Sequence, residues 1–220
     1  MVAYTWSKLL SDGGDNAWDS VLWTNYYCRS CDKSLSAYDQ RHRMVTSYTY
    51  QLPFGEGKKF GSGWNTFTNA ILGQWQINGI FTLNSGRVVS LDAPGNTSFS
   101  FGGRQRPDST GVDANLSNPT IDEWFDTDQF TIPKPYTFGN VGRILPTVRG
   151  DFVEAFDFSL FKDFLITERV KLQFRAEWFN LPNHPIFENP AGTVGTSSFG
   201  RVTSQANSPR QTQLALKILF

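Results

Sequence analysis

Two cysteines form the most compact group of residues that could carry chemistry. Cys28 and Cys31 stand in the order C-R-S-C, and the chain has no third cysteine. A structural zinc site normally takes four ligands from two such pairs, and a thioredoxin-type motif needs a strand-and-helix unit that the surrounding pattern does not indicate. The pair favours a local disulfide in an oxidising compartment, with two free thiols or a metal-ligand pair as the alternatives.

The two histidines give little support for a catalytic or metal-binding site. His42 lies near Asp39 and Arg41, but no nucleophile with a matched base accompanies it, so an ion-pair cluster is the favoured interpretation. His184 stands between two prolines, which favours a turn. The glycine- and lysine-rich segment 54–63 lacks the spacing of a phosphate-binding loop. We therefore expect no enzymatic activity, no cofactor and no metal.

Four carboxylates and two aromatic residues share one short segment, which contains Asp122, Glu123, Trp124, Phe125, Asp126 and Asp128. Such a group can line a sugar-binding site or bind Ca²⁺, although the spacing of an EF-hand loop is absent. The favoured interpretation is a folded loop with its own small aromatic core. The alternative is a ligand contact in an outer loop, formed by Trp124, Phe125, Asp126 and Asp128.

Composition and patterning indicate that β-strands position these groups. Aromatic residues make up 15% of the chain, and 19 glycines and 11 prolines mark frequent turns. Equal numbers of basic and acidic residues, 20 of each, exclude a general nucleic-acid binder, because such a protein carries a basic excess. Apolar and polar side chains alternate in six segments, 2–7, 42–54, 74–84, 152–162, 169–179 and 209–220.

The alternation gives each segment one apolar and one polar face, although Glu154 and Phe161 break the pattern in 152–162. In the fifth segment, Leu172, Phe174 and Trp178 occupy one parity, and Arg175 and Glu177 occupy the other. Successive side chains of a strand point to opposite faces, and each of the longer segments has about the ~9–11 residues that cross a bilayer at a tilt. The pattern predicts an all-β antiparallel meander of about six long strands. A soluble β-sandwich could also bury such a face.

Long and short connections alternate along the chain. The long ones span about 9–41, 85–150 and 182–208, and the short ones span about 55–73 and 163–168. A compact soluble domain rarely contains several structureless loops of this length, whereas outer-membrane barrels combine long outer loops with short periplasmic turns. The arrangement predicts part of a transmembrane β-barrel whose C-terminus lies on the periplasmic side.

Aromatic residues near the strand ends support the membrane interpretation. Membrane barrels carry aromatic girdles at both interfaces around an apolar band. We expect the lipid-facing and girdle residues to include Trp6, Tyr48, Tyr50, Trp75, Leu172, Phe174 and Trp178. Two arginines of the second long loop, Arg104 and Arg106, could contact lipopolysaccharide phosphates, although solvated loop positions are the favoured interpretation.

The last segment has the form of a C-terminal assembly signal. It reads RQTQLALKILF over 210–220, and its apolar parity comprises Leu214, Leu216, Ile218 and Phe220. An amphipathic terminal strand with a free edge can be captured by strand addition, so we expect the barrel-assembly machinery to bind it. The alternative is an ordinary edge strand that ends in Phe.

Eight stretches in order along the chain carry a family resemblance. They are AYTWSK, DQRHRMVTSYTYQLPFGEGKKF, ILGQWQINGIFTLNSGR, WFDTDQF, FGNVGR, FDFSLFKDF, VKLQFRAEWFNLPNHPIF and FGRVTSQANSPRQTQLALKILF. With these stretches the chain resembles the C-terminal part of TonB-dependent outer-membrane receptors of the Oar-like branch. The resemblance covers nearly all of the sequence.

The resemblance implies a barrel of about 22 strands that encloses an N-terminal plug. Six strands cannot close a barrel, since the smallest membrane barrels have about eight. We therefore expect residues 1–220 to be a single C-terminal portion of the receptor barrel, with the plug and N-terminal region outside it. The implied partners are outer-membrane lipid, the barrel-assembly machinery, the remaining strands and plug, and through that plug the TonB energy-coupling complex, but not nucleic acid.

The resemblance implies that the chain lies in the bacterial outer membrane and contributes to TonB-dependent uptake of an unidentified ligand. It also implies that this portion is not active alone. The sequence also leaves two alternatives of other classes open. One is a soluble β-sandwich that binds carbohydrate through Trp124 and its neighbours. The other is an outer-membrane adhesin, or a pore made from partial barrels.

Overall fold

The computed structural model describes residues 1–13, 23–100, 105–167 and 169–220. In chain order the described elements are β1 (Val2–Trp6), β2 (Leu10–Ser11), β3 (Ser34–Leu35), β4 (His42–Gln51), α1 (Thr66–Leu72), β5 (Trp75–Asn84), β6 (Asp108–Ser109), β7 (Phe130–Thr131), β8 (Val153–Leu165), β9 (Lys171–Phe179) and β10 (Gln211–Leu219). Two short 3₁₀ turns are Arg29–Asp32 and Thr127–Gln129. No helix among these residues is long and apolar enough to cross a membrane.

Six strands form one antiparallel sheet in the order β1-β4-β5-β8-β9-β10. The order follows the chain, so each long strand pairs with the long strand before and after it, and the predicted six-strand meander is confirmed. β8 continues to Leu165, three residues beyond the predicted segment. Among the described residues β1 and β10 are the two edges and do not pair with each other, so the sheet is open.

The register places the apolar parity of all six strands on one face. Residues directly opposite each other in neighbouring strands point to the same side of a sheet. One such row runs across five strands through Tyr50, Ile77, Leu160, Ala176 and Leu214. In β1, Tyr4 and Trp6 join the same face through their partners in β4. The sheet thus has one continuous apolar face, which we call the apolar face.

The opposite face of the sheet is mainly polar, although Ile80 and Phe161 also lie on it. A row next to the apolar one runs through Thr49, Asn78, Ser159, Glu177 and Gln213. The Asn78 amide donates to Ser159 Oγ at 3.3 Å, so polar groups on this face bond to each other across strands. The two faces differ in the way that water on one side and an apolar medium on the other would require.

The connections of the sheet emerge at two ends with different lengths. Residues 7–41, 85–152 and 180–210 join strands at one end, and 52–74 and 166–170 join them at the other. The three long connections do not stand apart. Their described residues pack together into one body, here called the loop layer, which comprises 7–13, 23–41, 85–100, 105–152 and 180–210.

The loop layer has its own apolar core, supplied by the second and third long connections. Its buried residues are Val89, Leu91, Ala114, Phe125, Phe130, Val141, Leu145, Val148 and Val194. Three Phe rings form its centre, with Phe125 edge-on to Phe130 at 5.8 Å and to Phe199 at 5.4 Å between ring centroids. The expected folded loop with a small aromatic core is confirmed.

Close backbone crossings hold the loop layer together, and Gly139 lies at one of them. A Cβ atom at Gly139 would overlap the carbonyl oxygens of Arg106 and Pro107. These atoms belong to the backbone, so they cannot move aside as the end of a flexible side chain can. Val141, two residues on, donates its N–H to Pro107 O at 3.2 Å, which fixes the crossing.

We expect Gly139→Ala to destabilise the loop layer by about 1–3 kcal/mol, the usual cost of overpacking. Hydrogen exchange at the Val141 amide would measure the effect, because that hydrogen bond spans the crossing. Gly142→Ala is the matched control, since a Cβ there meets only Ile144 O at 3.4 Å. Equal exchange rates in the two variants would contradict the overlap.

Candidate functional site: the loop layer

Within the loop layer, three arginines of the second long connection bind the first long connection. Arg106 forms an ion pair with Asp32 and donates to Cys31 O at 3.1 Å. The side chains of Arg106 and Asp32 are only 8% and 2% exposed. Burial, together with the positive charge of Arg143 nearby, lowers the pKa of Arg106 to about 10, so Arg106 remains charged at neutral pH.

This position corrects the sequence interpretation of Arg106. A solvated loop residue or a lipopolysaccharide contact would leave the guanidinium accessible, whereas Arg106 is buried against an acidic partner 74 residues earlier in the chain. Its companion in that interpretation, Arg104, lies outside the described residues. Arg106 is therefore a structural link and not a surface contact.

The second arginine, Arg143, binds backbone oxygens where β2 pairs with β3. It donates to Ser11 O at 3.1 Å and to Leu35 O at 3.3 Å. Leu35 is itself buried beside Val88 and Ile144. A planar guanidinium can satisfy several acceptors at once, so Arg143 closes the small two-stranded sheet onto the second long connection.

The third arginine, Arg149, pairs with Asp39 directly before β4. The Nη2–Oδ2 distance is 2.5 Å, and the Asp39 side chain is 1% exposed. Asp39 Oδ1 also accepts the Leu9 N–H at 2.7 Å. Burial alone would raise the pKa of Asp39, but the hydrogen bonds from Arg149 and Leu9 and the charges of Arg149 and Arg41 hold it below its ordinary value.

The lowered pKa of Asp39 predicts a loss of loop-layer stability in acid. A carboxyl whose folded pKa is below its unfolded value stabilises the fold above the unfolded pKa of about 4, and this stabilisation is lost as the pH falls through the folded pKa. Proteolysis of residues 23–41 at pH values from 6 down to 3 should therefore accelerate below pH 4. Asp39→Asn should be cleaved faster than wild type at pH 6 and should lose most of this pH dependence.

The cysteine pair lies beside the Asp32–Arg106 ion pair. Cys28 and Cys31 form a disulfide across the 3₁₀ turn Arg29–Asp32. The Cys31 N–H donates to Cys28 O at 3.0 Å within the same turn. The crosslink constrains the short segment from which Asp32 reaches the second long connection.

The segment 122–128 divides between the core and the surface. Phe125 is fully buried, so the interpretation of Phe125 as a ligand contact is wrong: its ring fills the centre of the loop-layer core. Trp124 is half-buried, and its indole donates to Arg149 O at 2.8 Å. Asp126 accepts the N–H of Asp128 and so caps the 3₁₀ turn Thr127–Gln129. Asp128 and the more N-terminal carboxylates remain exposed.

A pocket that the sequence did not indicate opens in the loop layer. It measures about 480 Å³ and lies between residues 109–114 and 140–148. Asp113 supplies a carboxylate, and Phe130, Val141 and Leu145 supply apolar lining. The two lining segments are some 30 residues apart and share no spacing motif, so nothing local in the sequence marks the pocket.

The Asp113 carboxylate in this pocket is held in place. Its Oδ1 accepts Thr147 Oγ1–H at 2.9 Å, the Asn115 side-chain N–H at 2.7 Å and the Asn115 backbone N–H at 3.2 Å. The hydrogen bond from Thr147 and those from Asn115 lower the pKa of Asp113. The pocket therefore presents a fixed negative charge beside an apolar wall, which suits a ligand that carries a cationic or donor group.

The residues predicted to face lipid all lie on the apolar face. They lie at different positions along the strands, between the loop-layer end and the end with the short connections. At the loop-layer end are Trp6 and Trp178, and Trp178 stacks on Phe158 with ring centroids 5.8 Å apart. Tyr48, Tyr50, Trp75, Leu172 and Phe174 lie at mid-height or toward the other end. The Tyr48 ring covers Gly79, whose missing side chain leaves room for it.

The C-terminal strand continues the apolar face to the sheet edge. Leu214, Leu216 and Ile218 point to that face and are exposed. Phe220 follows the end of β10 and is fully exposed.

The two histidines contact nearby residues of the structure. His42 bonds through Nδ1 to the Tyr4 hydroxyl at 2.9 Å, and His184 lies in a turn held by Asn180.

A sheet with one apolar face and one polar face, with long connections at one end and short connections at the other, has the features of a membrane β-barrel protein. The comparison with family models agrees: the model of the outer membrane beta barrel domain matches residues 1–213. The chain belongs to this family, and it is a protein of the bacterial outer membrane. No curated protein and no solved structure matches the chain.

Proposed function

We propose that this chain forms part of the barrel wall of a TonB-dependent receptor of the Oar-like branch, and that its loop layer contacts the transported ligand outside the cell. One observation carries the proposal: the three long connections pack together into the loop layer. This layer lies at one end of a sheet that has one apolar and one polar face. The eight stretches of sequence resemblance give the receptor class.

The apolar face supports the wall assignment. In an outer-membrane barrel the residues that face lipid are mainly apolar and those that face the lumen are mainly polar. The register separates the two sets across the six strands, with exceptions such as Glu154, Phe161 and Lys162 in β8. Six strands are fewer than the smallest membrane barrels contain. In this proposal further strands complete the wall, a plug fills the lumen, and the TonB complex acts on that plug.

The loop layer supports a role in ligand contact. Its core and its buried ion pairs hold the pocket around Asp113 in one arrangement, and a preformed site loses less entropy on binding than a loose loop does. An energy-coupled receptor needs such a site on the outer side. Membership in an outer-membrane family favours this function over the soluble carbohydrate-binding module.

Depletion of compounds from the growth medium would test the proposal. Cells that produce the intact protein should remove at least one compound that cells without it leave behind, and removal should stop when the TonB system is inactivated. Asp113→Ala should slow removal, whereas Asp122→Ala, at an exposed carboxylate outside the pocket, should not. Removal that continues without TonB would indicate a passive pore, and no removal at all would favour an adhesin; either result contradicts the proposal.

A further inference from the structure

One lysine breaks the pattern of the apolar face. Lys162 in β8 stands directly opposite Trp75 in β5 and Phe174 in β9, so its side chain points to the apolar side of the sheet. Lys162 is nevertheless 2% exposed. A charge on a lipid-facing surface is costly unless it reaches a polar partner, so the structure must supply one.

The partner of Lys162 is the C-terminal end of α1. The ammonium donates to Gly73 O and lies 3.4 Å from Asn69 O. It also lies over the rings of Trp75 and Phe164, at 5.5 and 5.3 Å from their centroids. Asn69 O already accepts the Gly73 N–H at 2.9 Å, whereas Gly73 O lies just beyond the helix. Carbonyls at the C-terminal end of a helix carry partial negative charge, so they match an ammonium group.

These contacts fix α1 against the apolar side of the sheet, at the end with the short connections. The Trp75 indole donates to Ile71 O at 2.9 Å and adds a second link between sheet and helix. Asn65 caps the helix by accepting the Thr68 N–H at 2.7 Å. A helix of seven residues would not persist alone, so the sheet holds α1 in this position.

The other side of α1 is apolar and uncovered in the described structure. Phe67 is 74% exposed, and Ile71 and Leu72 are about half exposed. Lys58 and Lys59 stand in the same connection, where the Lys59 ammonium lies 5.4 Å from the centroid of the Phe60 ring. An apolar helix side with lysines nearby is typical of a segment in the plane of a lipid interface.

We propose that α1 is an interfacial anchor that lies in the headgroup region of the periplasmic leaflet, with Phe67, Ile71 and Leu72 among the lipid chains. Lys162 and Trp75 tie α1 to the same apolar face that the proposed function turns toward lipid, so the uncovered side of the helix is continuous with that face. This anchor goes beyond the proposed function, since it assigns a lipid contact and no ligand contact. Lys162 acts as the positioning residue that ties the helix to the wall.

Collision accessibility of a spin label tests the anchor. The intact protein carrying Phe67→Cys is labelled with a nitroxide and reconstituted in phosphatidylethanolamine–phosphatidylglycerol vesicles; the disulfide-bonded Cys28 and Cys31 do not react. We expect the ratio of oxygen to nickel-chelate collisions to be several-fold higher at this label than at Ser62→Cys, an exposed polar position of the same connection.

Two outcomes would overturn the proposal. A label at Phe67→Cys as open to the nickel chelate as the one at Ser62→Cys would place α1 in water. A label immobilised and shielded from both reagents would show that another protein segment covers the helix. These outcomes concern lipid alone, so they leave ligand uptake as a separate question.

A second variant tests the role of Lys162. Met fills a similar volume without the ammonium group, so Lys162→Met should preserve the sheet while it releases α1. We expect the nitroxide at Phe67→Cys to become more mobile and more open to the nickel chelate in this background. Unchanged mobility and accessibility would show that the Lys162 contacts do not position the helix.

Discussion

Leu214→Lys is expected to prevent assembly into the membrane, whereas Gln213→Lys in the same strand should assemble at the level of the wild type. The two residues are neighbours near the middle of β10, and the register assigns Leu214 to the apolar face and Gln213 to the polar face. A lysine at the level of the bilayer midplane costs about 2–4 kcal/mol on a lipid-facing position and little toward an aqueous lumen.

The expected effect is large enough to measure in two ways. A cost of 2–4 kcal/mol corresponds to a folded-to-unfolded ratio about 30- to 700-fold lower, which urea titration in lipid vesicles would detect. In cells, the outer-membrane level of the intact protein should fall for Leu214→Lys and not for Gln213→Lys. Equal levels for the two variants, or a loss confined to Gln213→Lys, would contradict the assignment of the faces.

The second large effect concerns the ion pair that joins the first and second long connections. Asp39→Ala should loosen the attachment of residues 23–41 to the second long connection, because it leaves the Arg149 guanidinium without its carboxylate and the Leu9 N–H without its acceptor. Removing one partner of a buried pair costs about 3–5 kcal/mol. Hydrogen exchange of the amides in this segment should then accelerate by up to about two to three and a half orders of magnitude.

An exposed ion pair in the same layer provides the control. Asp122 pairs with Arg201, and their side chains are 71% and 51% exposed. A pair in contact with water contributes about 0–1 kcal/mol, so Asp122→Ala should change exchange by no more than a few-fold. Similar acceleration in the two variants would mean that burial does not set the strength of these pairs.

The sheet could be predicted because its signal is local. Alternation over 169–179 is a property of consecutive residues, and a shift of one residue would move a whole apolar set to the wrong face, so the pattern also fixes the register. The structure places all six predicted strands in one sheet, with ends that differ from the predicted segments by a few residues.

Helix α1, which lies within the predicted turn 55–73, was not predicted from the sequence, although Asn65 carried a capping signal.

The loop layer could not be predicted in the same way. Its main links join residues far apart in sequence: Arg106 to Asp32 over 74 positions, and Arg149 to Asp39 over 110. Such contacts leave no period in the sequence, and irregular segments rich in glycine and proline resemble free loops until their partners are known. For the same reason the sequence left a ligand contact at Phe125 open beside the favoured aromatic core, whereas the surrounding chain encloses the ring.

A labelling scan along β9 would show directly which face of the sheet contacts lipid. Single cysteines at positions 171–178 of the intact protein, in membranes, are compared for reaction with a lipid-phase reagent and with a membrane-impermeant aqueous one. We predict strict alternation: Leu172, Phe174 and Trp178 positions react from the lipid phase, and Lys171, Gln173 and Arg175 positions from water. The same reactivity at consecutive positions, or alternation with the opposite parity, would contradict a wall that turns its apolar face to lipid.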